Sequence, residues 1–190
     1  MSKSLGNTVS PEEMIEKFGA DTVRLFILFA ANPTAGMDWS DSALEANYRQ
    51  MVQLYNMPET ILSWNGNARE IDTWMIARLK QRCQQWQDAM DSYDLRGAVD
   101  ASHFDLVKDL NWYRRRGGEN PEVGKEILRV WTHMISIATP HIAEDWWKMM
   151  GNDDLVAGRV FELPDQLTSA EKDALDAETY LRAFLEQARK

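Results

Sequence analysis

Residues 71–93 read IDTWMIARLKQRCQQWQDAMDSY. Ile71, Met75, Leu79, Cys83, Trp86, Met90 and Tyr93 recur at intervals of three or four, which makes an apolar stripe of about six turns. The stretch therefore predicts a long amphipathic helix. A stripe of that length has to be covered by partners.

The downstream sequence supplies them. Val99, His103, Leu106, Leu110 and Tyr113 form a second stripe, terminated by Gly117–Gly118. Asn120 and Pro121 are the cap and first position of a third helix, whose stripe is Ile127, Trp131, Met134 and Ala138. Thr139 and Pro140 restart a helix through HIAEDWWKMMG, closed by Gly151. GRVFELP, residues 158–164, is the one plausible strand. TSAE, residues 168–171, is a capping box opening a terminal helix through Leu175, Leu181, Phe184 and Leu185.

Upstream, the polar NGNARE at 65–70 marks a candidate boundary. Before it, DWSDS begins a helix carrying Leu44, Tyr48, Met51, Val52 and Tyr55, which Pro58 kinks or interrupts. A helix over about Ala20–Ala31 is apolar on nearly every side and is expected to be deeply buried, with Asn32–Pro33 as its stop. Ser10, Pro11 and Glu13 form a further capping box, and Gly19 ends the short helix they open. The fold class expected is all-α: a small N-terminal helical segment joined to an antiparallel helix bundle.

Composition narrows the function. Hydrophobic residues make up 44% and charged residues 27%, a globular balance, with eight Trp and ten Met to fill a large core. One cysteine, Cys83, allows no internal disulfide and suits a reducing compartment. The longest apolar runs fall well short of the ~20 residues of a membrane span. With no secretory signal either, the expected location is cytoplasmic, with no membrane partner. The net charge is −9, which argues against indiscriminate nucleic-acid binding. Its distribution is uneven: −4 over residues 1–68, +1 over 69–116 and −6 over 117–190. RLKQR (78–82) and WYRRR (112–116) concentrate the positive charge in the middle.

The chain opens MSKS, followed by Gly6 and Asn7, and then FGADTVRLF at 18–26. This series resembles the signature loop of class I aminoacyl-tRNA synthetases, usually written KMSKS, together with the segment that follows it. MDWS (37–40), DLNWYRRR (109–116) and ATPHIAEDWW (138–147) are most similar to the leucine members, in particular their archaeal branch. The resemblance covers about residues 1–165. It implies a bundle of the class I anticodon-binding type and three parts. Residues 1–66 would be the KMSKS loop and helical tail of the catalytic domain, 67–163 the anticodon-binding bundle, and 164–190 the start of a C-terminal extension.

The resemblance makes Met1, Ser2, Lys3 and Ser4 an ATP-binding loop and Lys3 a catalytic residue. The chemistry agrees. Expulsion of pyrophosphate from ATP builds up negative charge, and a lysine on a mobile loop meets that charge more in the transition state than in the ground state. Arg114, Arg115 and Arg116, in the last turn of a helix, can contact tRNA phosphates, and Trp112 can stack on a base or cover apolar surface. Arginines there also simply complement the helix dipole. Arg78 and Arg82, four residues apart on one face, form either a phosphate-binding strip or a solvated helix face. His103 reads as a core histidine and Cys83 as packing. No metal-ligand spacing is present.

A class I synthetase also needs a HIGH-type motif on a nucleotide-binding domain, and neither occurs in this sequence. The expectation is a C-terminal piece of a leucine–tRNA ligase that uses ATP with Mg and acts on tRNA(Leu). The rest of the synthetase would be its partner. The piece alone is expected to be inactive and to bind no cofactor. Isoleucyl- or valyl-tRNA synthetase, or a free-standing tRNA- or protein-binding module derived from a synthetase, are the alternatives.

Overall fold

A computed structural model describes residues 9–30 and 39–188. Among these, every regular element is helical: α1 (Pro11–Phe18), α2 (Ala20–Ala30), α3 (Asp41–Tyr55), α4 (Met57–Leu62), α5 (Glu70–Asp91), α6 (Leu95–Val99), α7 (Leu106–Arg115), α8 (Pro121–Ile135), α9 (Pro140–Met149) and α10 (Ser169–Gln187). A π-helical segment, Asp100–Asp105, joins α6 to α7, and a 3₁₀ turn, Val156–Gly158, follows α9. The all-α expectation holds. None of the described helices is long and apolar enough to cross a membrane.

The 71–93 stripe becomes α5, the axis of the bundle. Ile71, Met75, Leu79, Cys83 and Trp86 are buried, and α6, α7, α8 and α10 all pack on this helix. Tyr93 is the exception, at 87% exposed. The helix has ended at Ser92, and Tyr93 takes a left-handed φ of 60° that swings it away from the stripe.

Val99, His103, Leu106, Leu110 and Tyr113 are all buried, although a π-helical segment interrupts their helix. Two carbonyls of that segment take side-chain donors: Trp131 Nε1 donates to Ser102 O at 2.6 Å and Gln50 Nε2 to His103 O at 3.4 Å. Trp131 then meets Trp146 edge to face, 5.1 Å between ring centres, at the heart of the core.

The N-terminal helices continue the same core. Leu25, Met51, Leu54, Ile61 and Trp64 join it, while Phe18, Phe26 and Leu44 make a smaller cluster of their own. Ser10 caps α1 by accepting the Glu13 amide at 3.4 Å, and Gly19 closes it at φ 81°. α2 corrects the expectation of burial all round. It buries Val23, Leu25 and Phe26, but Arg24 and Ile27 face outward, Ile27 at 49% exposed. Pro58 does not kink a continuous helix: α3 stops at Tyr55, and Pro58 sits in the first turn of α4. The predicted stop at Asn32–Pro33 lies outside the described residues.

Two further expectations change. Residues 158–164 form no strand; beyond the 3₁₀ turn they run as irregular chain, with Phe161 packed on Trp86 and His133. Thr168 and Glu171 make both halves of their capping box, yet Phe184 on the same helix is 58% exposed. α10 instead turns Glu171 and Glu178 toward the bundle.

Candidate nucleic-acid interface

The arginine-rich end of α7 is fixed by the turn that terminates it. Gly118 N donates to Tyr113 O at 3.0 Å and Gly117 N to Arg114 O at 2.9 Å, with Gly117 at φ 80°. This pair of bonds is a Schellman motif, and it satisfies carbonyls that the helix end would leave open. Gly118 lies flat on the Tyr113 ring: a Cβ built there would fall 2.1 Å from Cε2.

Tyr113 in turn is pinned from below. Its hydroxyl donates to Asp72 Oδ1 at 2.6 Å and accepts the Asn120 amide at 3.2 Å. Asp72 Oδ2 accepts from Asn120 Nδ2 at 2.7 Å and from the Arg69 amide at 2.9 Å. A buried carboxylate in the first turn of α5 thus holds the 116–120 turn. Burial, reinforced by the Asp72 carboxylate, pushes the Tyr113 hydroxyl well above the usual tyrosine range.

On this base the three arginines differ. Arg114 reaches Glu119 at 3.8 Å across an exposed rim. Arg116 donates from Nε to Glu178 Oε1 at 3.2 Å. Arg115 is exposed and has no ion pair among the described residues; its guanidinium lies 5.8 Å from the Trp112 ring centre. Trp112 is half-buried, and its Nε1 donates to Glu178 Oε2 at 2.9 Å. Glu178 therefore ties both Trp112 and Arg116 to α10. Arg182, one turn further along α10, stacks between Trp112 at 4.5 Å and Trp74 at 4.9 Å.

Arg78 and Arg82 point into an ion-pair cluster. Asp109, 1% exposed, accepts from Arg82 Nε at 2.8 Å and lies 3.1 Å from Arg78 Nη2. Arg82 Nη1 also meets Asp105 at 2.8 Å. The two guanidinium groups thus offset the cost of taking the Asp109 carboxylate out of water. Between them on α5, Lys80 pairs with Glu171 of α10 at 2.8 Å. Burial alone would raise Glu171, but the bonds from Lys80 and Thr168 outweigh it and hold the carboxyl below its ordinary value.

The other candidates divide simply. His103 is a core histidine: Nδ1 meets Ser102 Oγ at 2.8 Å, Nε2 meets Thr139 Oγ1 at 3.1 Å, and burial holds its pKa down to about 3. Burial pushes the Cys83 thiol up to about 11, so it is packing and not a nucleophile. No cluster of His, Cys, Asp or Glu suited to a metal occurs among the described residues. Met1, Ser2, Lys3 and Ser4 lie outside the described residues.

Sequence reasoning missed Glu178, Arg182 and Lys108. The first two are four residues apart on one helix, and Lys108, Trp112 and Arg115 fall at i, i+4 and i+7 on another. That spacing was the available signal.

Comparison with known proteins completes the picture. The family described as the anticodon-binding domain of tRNA ligase matches residues 72–190. The chain belongs to this family of anticodon-binding domains. A second family, tRNA synthetases class I (I, L, M and V), matches residues 1–40. Leucine–tRNA ligase of Archaeoglobus fulgidus is 33% identical over 98% of this chain and 20% of its own length. That of Methanothrix thermoacetophila is 32% identical over 95% of the chain and 19% of its own. The chain thus spans about a fifth of the length of the curated relatives it matches. A crystal structure of the ternary complex of Agrobacterium radiobacter K84 agnB2 LeuRS with tRNA and LeuAMS superposes with a TM-score of 0.68. It is 26% identical and covers 83% of this chain and 21% of that one. Within an anticodon-binding domain, the end of α7 is a basic, partly aromatic surface on an otherwise acidic molecule.

Proposed function

We propose that the chain is the tRNA-docking part of a leucine–tRNA ligase, the ATP-dependent enzyme that activates leucine and transfers it to tRNA(Leu) in the cytoplasm. The observation that carries this reading is the similarity to leucine–tRNA ligases, which runs along 98% of the chain. Residues 1–66 act as the end of the catalytic domain, 67–163 as the anticodon-binding bundle and 164–190 as the start of a further extension; the two family matches, 1–40 and 72–190, fall on either side of the first division. Arg114 and Arg115, exposed at the end of α7, meet tRNA phosphates. Lys3, in the Met1–Ser4 loop, stabilises charge on ATP, which binds with Mg in the complete enzyme, whose remaining parts are the chain's partners.

The test is binding of tRNA(Leu) by the purified chain, followed by fluorescence anisotropy at several salt concentrations. Contact with three or four phosphates gives a log–log salt slope near −3. Replacing Arg114, Arg115 and Arg116 by Ala flattens it by about one unit or more. It weakens leucine and non-leucine tRNAs alike, because phosphate contacts position without reading bases. Absence of tRNA binding by the wild-type chain overturns the reading. So does leucine-dependent pyrophosphate exchange by the chain alone, since catalysis is assigned to the whole enzyme.

A further inference from the structure

We infer that the groove between α7 and α10 is a phosphodiester-binding site, in which Lys108, Arg115 and Arg182 meet RNA phosphates beside the indole of Trp112. The inference rests on the tRNA-docking reading and deepens it. It moves the main contact from the end of α7 to the cleft alongside it.

The groove has a volume of about 440 Å³, and Lys108, Asn111, Trp112, Arg115, Arg182 and Glu186 line it. Three cations and one carboxylate therefore line it, and Lys108 also pairs with Asp105 at 2.9 Å. Its two arginines contrast with other arginines of this molecule, whose net charge is −9 and which pairs several of them with acids. Arg78 and Arg82 have Asp109, Arg116 has Glu178, and Arg129 has Glu126 at 2.7 Å.

Arg182 is handled differently. Two indoles flank its guanidinium, at 4.9 and 4.5 Å. It has no ion pair among the described residues, and its buried Nε has no hydrogen-bond partner. Burial pulls its pKa below the ordinary arginine value, and the nearby Arg78 and Arg82 pull the same way, against Asp109 and Glu178. Arg115 shares the Trp112 ring from 5.8 Å. Two guanidinium groups at one indole, with no carboxylate paired to either, leave unmet the charge-assisted hydrogen bonds that such groups make best.

A phosphate backbone supplies what is missing. Lys108 and Arg115 are seven residues apart on one helix, about 10.5 Å along its axis, so the cations form a row and not a point. A row suits a repeating anion. The planar fork of arginine suits phosphate oxygens, and the stacked aromatic holds it ready for them.

The test uses the 190-residue chain and a fluorescein-labelled tRNA(Leu) transcript, with anisotropy read across salt and circular dichroism as the folding control. The variants are Arg182→Gln and the double variant Lys108→Gln/Arg115→Gln. The double variant changes exposed side chains and keeps the fold even if Arg182→Gln loosens α10. At about 0.9 units of slope per phosphate contact, Arg182→Gln flattens the slope by about 0.9 and the double variant by about 1.8. If the wild-type chain binds and the folded double variant keeps its slope, the groove is not the site and Arg115 is no phosphate contact, while tRNA docking by the chain stands. If the wild-type chain does not bind, both readings fall. Displacement of the tRNA by polyglutamate as effective as that by poly(U) assigns the groove to an acidic peptide and overturns the RNA assignment.

Discussion

Asp21 caps α9 at Ile142, 121 residues away in the chain: its Oδ2 accepts the Ile142 amide at 2.9 Å. The other oxygen, Oδ1, lies 2.8 Å from His141 Nδ1. FGADTVRLF and ATPHIAEDWW, two of the stretches that carried the family resemblance, meet through this one carboxylate. It satisfies an amide that the start of a helix leaves unbonded, and its charge suits the positive end of the helix dipole. Asp21→Ala is therefore expected to cost about 1–2 kcal/mol. Asp21→Asn, which keeps an acceptor but loses the charge, costs less. Urea unfolding of both variants measures the order, and equal losses would remove the charge from the account.

Gly118→Ala is expected to destabilise the chain by about 3 kcal/mol, the upper end for overpacking, because the new methyl lands on the Tyr113 ring. The 116–120 turn moves with that ring, so RNA binding falls in the same variant. A thermal midpoint unchanged from wild type would show that the turn yields freely.

Arg82→Ala separates a structural cation from an RNA-binding one. It leaves Asp109, 1% exposed, with Arg78 as its remaining ion pair. Leaving a buried charge wholly unpaired costs about 3–5 kcal/mol, and with Arg78 still in place the loss falls below that range. The expected outcome is a clear loss in urea midpoint. Loss of RNA affinity with stability intact would restore Arg82 to the phosphate strip.

His103 sets a pH dependence. Its pKa is about 3 in the folded chain, against 6.5 when exposed. The folded-state value is depressed, so the unfolded chain binds the proton more readily. The stabilisation is present in full above 6.5 and is lost as pH falls from there toward 3. The slope is at most about 1.4 kcal/mol per pH unit. Urea unfolding between pH 7.5 and 5.5, before the carboxylates titrate, shows this decline in the wild type and not in His103→Gln. Equal slopes would assign the dependence to another group.

Much of this fold was legible because helical spacing reports burial. The α5, α7 and α8 stripes went where their periods put them, even across a π-helical segment. Spacing fails where an element ends or a face stays open. Tyr93 kept the period after the helix had stopped, and Phe184 kept it on a helix that buries acids instead. Ile27 looked buried because α2 has few polar residues, yet α2's neighbours cover only part of it. At the candidate site the sequence placed the arginines on their helices but not the residues opposite them. Asp109 is 27 residues from Arg82, and Glu178 is 62 from Arg116. Nothing local announces such partners.

The Asp21–Ile142 contact also sets an order of events during synthesis. Translation proceeds at about 5–20 residues per second, so some 6–24 s pass between emergence of the two halves of this joint. Through that interval Leu25, Met51 and Leu54 lack part of their folded core, which includes Trp131 and Trp146 more than 75 residues further along the chain. These N-terminal helices are made before the residues that complete their core.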